Sequence, residues 1–305
     1  MMAGLISNEF ISIISHNCGH ANNFKVPLFN ELLENCDFLL LQEHMLFKSK
    51  LNWFYSISPD VGVHGASAMD ESKPLIGRPY GGVALLWRKS LAGRVVPVHW
   101  NSSRICAVIY TNESNTSILV ICVYMPCDDW RPDGNVIEYN HVLHDISTLI
   151  NSVQVDSICI GGDLNTDFSR NTCQTDSLKS FLYINNLHCC TIDSLSDIGF
   201  TYRSKINGKK TFIDHFLVSS NLKDNLLKCT SFDLVNNSSD HVPINTKFKF
   251  DISYKNNVNV LRELCFPAYC NTRCANCVFL IITIRAARIA ICVRELILAS
   301  ELRKF

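Results

Sequence analysis

Charge is scarce in this sequence, and its balance is nil. Only 18% of the 305 residues are Asp, Glu, Lys or Arg, with 28 acids against 28 bases. A chain so poor in charge and 47% apolar is no disordered polyelectrolyte. Zero net charge also excludes a strong global field toward nucleic acid, so any basic surface must be local. The N-terminal stretch is not expected to act as a secretory leader: MMAGLISNEFISII sets Asn8 and Glu9 inside its apolar stretch and has no basic flank. The sequons at Asn101, Asn115 and Asn237 then read as chance matches. No internal repeat is visible, and no disulfide framework is expected. The fifteen cysteines are odd in number and scattered, several inside apolar runs, such as Cys122 in LVICVYM and Cys159 in SICIGG. They read as small buried hydrophobes in a reducing compartment. The expected location is intracellular, nuclear or cytoplasmic, and not secreted.

What is present is a rhythm of short apolar runs and helical patterns. FISIIS (10–15), DFLLLQE (37–43), GGVALLW (81–87), RICAVIY (104–110), SILVICVYM (117–125), SICIGGD (157–163) and FIDHFLVS (212–219) predict strands. Residues 242–250 alternate, with Val242, Ile244, Thr246, Phe248 and Phe250 on one side. Helical spacing appears over 26–35, 138–152 and 177–187. Asn207-Gly208 predicts a hairpin before the 211–219 run. Continuous apolar strands mixed with helices indicate an α/β sandwich with buried sheets.

The pattern changes after residue 251. The segment 251–305 is expected to be a separate tail, with Cys265, Cys270, Cys274 and Cys277 ahead of VFLIITIRAARIAICVRELILAS. Arg285 and Arg288 in the middle of that run favour an amphipathic or buried helix over a membrane span. The cysteine spacings are cramped for zinc, so unpaired thiols are the default.

Polar residues recur at the ends of the apolar runs. His16-Asn17, Gln42-Glu43, Tyr124, Asp163-Leu164-Asn165, Asp214-His215 and Ser239-Asp240-His241 all stand at such edges. With the strands side by side, these edges form one polar rim around a cleft. Clustered buried carboxylates need a cation or mutual partners. Metal-assisted phosphodiester hydrolysis suits the set. Mg²⁺ takes oxygen ligands and needs only one or two carboxylates, and Glu43 is the principal candidate. Asp163 and Asn165, two residues apart, suit holding and orienting an attacking water. An imidazole backed by a carboxylate suits charge developing on phosphate oxygens. Each motif alone is weak, and a turn or a solvated acid explains any one of them. Their joint, ordered occurrence carries the reading.

Taken in order, these motifs resemble the endonuclease/exonuclease/phosphatase superfamily over residues 8–250. GRPYGGVALLWRKSL, VYMPCDD, GGDLNTDFSR and TFIDHFLVS resemble its non-LTR (LINE-type) retrotransposon endonucleases in particular. The resemblance implies a four-layered α/β sandwich, with two packed mixed sheets flanked by helices. It also implies metal binding by Glu43, Asn17 and Asp240, with Mg²⁺ as cofactor and Mn²⁺ able to substitute. Asn17 and Tyr124 would lie at the phosphate, Asp163 and Asn165 would activate and orient water, and His241, oriented by Asp214, would contact phosphate. The implied activity is DNA nicking that leaves a 3′-hydroxyl and a 5′-phosphate. Another phosphoesterase of the same fold (phospholipid head group or RNA) and an inactive binding relic stay open as alternatives. Relatives commonly carry an acid or amide where Gly19 stands and a tryptophan before Asn17. His215 is expected to be a packed strand residue. Arg203, Lys205, Lys209 and Lys210 on the expected hairpin are the best local basic patch and the candidate contacts to DNA backbone. No membrane is expected, and no obligate protein partner is inferable. No polymerase motif is visible, so the resemblance implies an endonuclease domain standing alone.

Overall fold

The computed structural model describes residues 10–127, 135–192, 196–232 and 234–250. The tail after residue 250, with its cysteines and apolar run, lies outside the described residues.

In chain order the strands and helices are β1 (Phe10–Asn17), α1 (Val26–Glu34), β2 (Phe38–Gln42), β3 (Val61–Ala66), β4 (Val83–Arg88), β5 (Val95–Val98), β6 (Ile105–Thr111) and β7 (Ser117–Tyr124). Then come α2 (Val136–Ser152), β8 (Ser157–Asp163), α3 (Cys173–Asn185), β9 (Leu187–Cys189), β10 (Ser196–Asp197), β11 (Tyr202–Arg203), β12 (Lys210–Thr211), β13 (Asp214–Ser219), α4 (Ser220–Asp224), β14 (Leu226–Ser231) and β15 (Ile244–Lys249).

They form two large sheets. One has the order β10-β14-β15-β1-β2-β4-β3 and the other β5-β6-β7-β8-β13-β9. Both are mixed: β1 and β2 run parallel, as do β7 and β8, while β13 lies antiparallel to β8. The inner core is where the sheets face each other, with Ile11, Ile13, Leu40 and Leu85 against Val120, Cys122 and Phe216. On the outside, α1 and the 3-10 turn Lys48–Ser56 cover the first sheet through Phe29, Leu32 and Phe54. α2 and α3 cover the second through Leu143, Ile146 and Leu178. Four layers result, as the resemblance implies.

This layering explains the continuous apolar runs. Along β7, Ile118, Val120 and Cys122 face the other sheet, and Leu119, Ile121 and Val123 face the helices. With both faces dry, the alternation of a half-exposed strand disappears. The glycines before Asp163 serve close packing: a Cβ on Gly162 would sit 1.9 Å from the Val123 carbonyl oxygen.

The hairpin at Asn207-Gly208 forms, with Gly208 at φ 70°. Its strands β11 and β12 are only two residues long each, and β13 starts anew at Asp214. Cys18, Cys36, Cys106, Cys122, Cys159, Cys190 and Cys229 are buried thiols. No helix of the described residues is long and apolar enough to cross a membrane.

Candidate active site

Strand register builds the site. In the second sheet Tyr124 at the end of β7 pairs with Asp163 at the end of β8, and Asp163 pairs with Asp214 at the start of β13. The three form one row. In the first sheet Asn17 ends β1 opposite Gln42, which ends β2, and Glu43 follows. The two rows meet between the sheets. Asn17 Nδ2 donates to Asp163 Oδ2 at 2.9 Å and to Glu43 Oε1 at 3.0 Å. One side-chain amide therefore ties together two carboxylates carried by different sheets.

The turn before β15 supplies the imidazole. Ser239 Oγ donates to the Asn17 carbonyl at 2.7 Å and accepts from His241 N at 3.1 Å, which locks Ser239-Asp240-His241 onto β1. His241 Nδ1 donates to Asp214 Oδ2 at 2.8 Å, and its Nε2 lies 3.7 Å from Asp163 Oδ2. Asp214 is steadied in turn by Thr201, whose Oγ1 accepts from Asp214 N and Ile213 N, both at 3.0 Å. Asp163, Asp214 and His241 are all buried, at 1%, 2% and 6% exposure.

Burial and mutual charge set the protonation states. Desolvation together with the Asp214 charge pushes Asp163 up to about 7. Burial by itself would lower His241, but the Asp214 and Asp163 carboxylates outweigh it and raise the imidazole to about 10. A protonated imidazole between two carboxylates is the result. Tyr124 is held firmly as the neutral phenol by burial and by the nearby charges of Glu43 and Asp163.

Two site residues sit in the left-handed region of backbone space, Glu43 at φ 53° and Asn165 at φ 48°. For residues other than glycine this conformation costs of order 1 kcal/mol or more and clusters at functional sites. At Asn165 it turns the chain back, so that Asn165 N donates to Asp163 Oδ1 and Nδ2 to the Met125 carbonyl, both at 2.9 Å.

The donor set suits a divalent cation. Ligand-type atoms of Asp163, Asp214 and His241 lie within 4.8 Å of one another, and with His241 protonated the two carboxylates are the donors among them. Glu43 and Asp240 do not belong to that three-residue group among the described residues. The half-buried Glu43 carboxylate shares the Asn17 amide with Asp163, and the Asp240 charge acts on His241 and Lys25. Oxygen donors on adjacent strand ends fit a hard ion such as Mg²⁺.

The structure also clarifies neighbouring residues. His215 packs edge-on between Phe168 and Phe212 and bonds Thr166 O and Thr191 Oγ1, a strand residue as expected. Gly19 adopts φ 58° and donates its N–H to Asn17 Oδ1 at 3.1 Å, so the position lacking an acid shapes the Asn17 loop instead. His16 is buried, with neither ring nitrogen hydrogen-bonded. Arg203, Lys205, Lys209 and Lys210 are all exposed. Their hairpin is stitched to the site: Arg203 N donates to Asp240 O at 2.8 Å, Lys205 Nζ donates to Ser238 O at 3.0 Å, and Tyr202 stands edge-on to His241. Thr201 and Lys25 carried no motif. Lys25 is buried, and its ammonium donates to the Cys18 carbonyl.

The two-sheet sandwich thus gathers acids, amides and an imidazole at one edge. Residues 118–245 match the family model described as "Endonuclease-reverse transcriptase". That match, over less than half of the chain, supports the resemblance to the endonuclease/exonuclease/phosphatase superfamily. No curated protein matches the chain. Among solved structures it is similar to the AP endonuclease LMAP of Leishmania major, with TM-score 0.61, 15% identity, 79% of this chain and 88% of that one. It is also similar to the endonuclease domain of TRAS1, a telomere-specific non-LTR retrotransposon, with TM-score 0.58, 14% identity, and 79% and 99% of the two chains. The catalytic domain of Xenopus laevis APE2 gives TM-score 0.60, 18% identity, 78% and 92%. At these identities the likeness is one of fold.

Proposed function

We propose that residues 8–250 form a Mg²⁺-dependent DNA-nicking endonuclease of the retrotransposon type, leaving a 3′-hydroxyl and a 5′-phosphate. The supporting observation is the Asn17 amide, which brings Glu43 and Asp163 together beside the Asp214–His241 pair. In this reading Glu43, Asn17 and Asp240 hold the ion, which when bound neutralises charge on the phosphate oxygens.

The chain's own groups do the rest. Asp163, ionised above about 7, accepts the proton of the attacking water, and Asn165 beside it orients that water. His241, protonated up to about 10, directs positive charge at a phosphate oxygen, with Nδ1 fixed by Asp214. Tyr124, neutral under all ordinary conditions, offers its hydroxyl as a donor. Arg203, Lys205, Lys209 and Lys210 take backbone phosphates beside the site.

Supercoiled plasmid with Mg²⁺ tests the reading. The wild type should convert it to the open circle with ligatable ends, and Asp163→Ala should lose at least about 10²-fold in rate. Equal nicking by both proteins, or plasmid left intact while phospholipid or RNA is turned over, would sink it.

A further inference from the structure

The four most exposed large apolar side chains among the described residues are Phe24, Ile76, Ile206 and Val235. All four lie on loops at the edge that carries the site. Phe24 follows β1, Ile76 joins β3 to β4, Ile206 tips the β11–β12 hairpin, and Val235 joins β14 to β15. The registers Gln42–Val83, Ala66–Val83 and Ser15–Ile244 set these loops at the end of the sheet where Asn17 stands. Apolar groups bared on one functional edge mark a contact surface.

Phe24 differs from a floppy surface residue in how its loop is held. Its side chain is 95% exposed. Its turn is held by hydrogen bonds: Phe24 N donates to Asn22 Oδ1 at 3.0 Å, and Lys25 N to Asn22 O at 3.0 Å. Trp53 Nε1 donates to Asn23 Oδ1 at 2.9 Å, and Ala21 N to His44 O at 2.9 Å, next to Glu43. Folding therefore spends several hydrogen bonds presenting a bare aromatic ring to solvent, on the same loop as Asn17. Exposed cations of the β11–β12 hairpin share this edge. An exposed ring on a pinned loop, at the same edge as cationic groups, is an arrangement suited to receive a nucleobase, the ring giving stacking area and the cations taking phosphates.

We propose that Phe24 is a substrate-stacking residue, lying against a base or opened base step of the DNA strand that enters the site. This rests on the nicking reading above. The role belongs to binding and not to bond cleavage, so its loss should weaken substrate affinity and spare turnover at saturation.

Fluorescence anisotropy of a labelled duplex, with Ca²⁺ replacing Mg²⁺, separates the cases on the full chain. Phe24→Ala should bind about fivefold to a hundredfold more weakly, the range for losing one stacked base. Phe24→Trp should restore affinity, and unfolding temperatures should not change. Affinity plotted against salt should keep its slope in Phe24→Ala, whereas Lys209→Ala should flatten it, because only the lysine releases counterions. Wild-type affinity in Phe24→Ala, a flattened slope, or failure of Phe24→Trp to rescue would overturn the proposal. So would loss of self-association in Phe24→Ala with duplex binding intact, which assigns the ring to a protein contact. A wild type that neither binds duplex nor nicks plasmid removes the DNA reading itself, and the stacking role with it.

Discussion

His241 keeps its proton far into conditions where a free imidazole has lost it, because two buried carboxylates stand against its two nitrogens. The same closeness raises Asp163, since burial and the Asp214 charge both oppose a second anion there. If Asp163 works ionised and His241 works protonated, activity rises through about pH 7 and falls toward about pH 10. Replacing Asp214 by Asn tests this sharply. It removes a raising charge from both groups, so the acidic and the alkaline limbs should both move to lower pH. The maximal rate should fall by about 10²-fold or more as the ring loses its ionic anchor. Nicking rates across pH 5–11 for wild type and Asp214→Asn measure both effects; unmoved limbs would refute the assignment. The residues of this site were legible because each stands at one end of an apolar run, as Asp163 does after SICIGG and Asp214 does before HFLVS. Thr201 and Lys25 were not. A threonine hydroxyl serving the Asp214 amide and a lysine folded back onto the Cys18 carbonyl follow from tertiary approach and leave no local pattern.

At the level of elements, what could be read depended on how dry an element is. β7 and β8 are buried on both faces, and the strand bounds expected for 157–163 agree with β8 to the residue. β3, β5 and β14 escaped notice for the opposite reason. β5 is a four-residue edge strand that contains Pro97, β3 forms the other sheet's edge with Gly62 and Gly65 in it, and β14 shifts register between Leu226 and Lys228. Edge strands are short and broken by design, so their sequences resemble loops. α3 starts at Cys173, four residues ahead of its apolar pattern, because Thr172 accepts from Thr175 N and so begins the helix before any core residue appears. Thr172→Ala should therefore cost about 1 kcal/mol. Gly162 gives a larger contrast. Its substitution by Ala forces a methyl group into the Val123 carbonyl and should cost about 2–4 kcal/mol, while Gly199→Ala, with open space around it, should stay within about 0.5 kcal/mol. Urea unfolding midpoints of the three variants would show whether the close approach of β7 and β8 limits stability.

For the molecule as a whole, the consequence of its packing is sensitivity to acid. His16, His44 and His215 are all buried, and desolvation first of all lowers each of them below the ordinary imidazole value. His44 shows why. Its Nδ1 accepts from Leu46 N at 2.9 Å and its Nε2 faces the Ala66 carbonyl at 3.1 Å, so protonation would destroy an acceptor that the fold uses. Its folded value is about 4, against 6.5 when unfolded. A folded value below the unfolded one means that the unfolded chain binds the proton more tightly. The stabilisation from neutral burial is then complete above pH 6.5 and is lost progressively as pH falls toward 4. For His44 alone this gap corresponds to about 3 kcal/mol, a large part of the net stability of an ordinary domain. His16 and His215 add in the same direction. Urea unfolding at pH 7.5 and pH 5.0 should show a marked loss of stability at the lower pH, and His44→Gln should flatten that dependence even though it lowers stability at pH 7.5. The raised groups His241 and Asp163 offset part of this loss: above pH 6.5 the unfolded His241 has released a proton that the folded ring keeps, and below about 7 the folded Asp163 takes up a proton that the unfolded chain does not bind, so both stabilise more as pH falls. A stability that stays level from pH 7.5 to 5.0 would mean that these imidazoles take up protons without unfolding, and would refute the assignment of neutral burial to them.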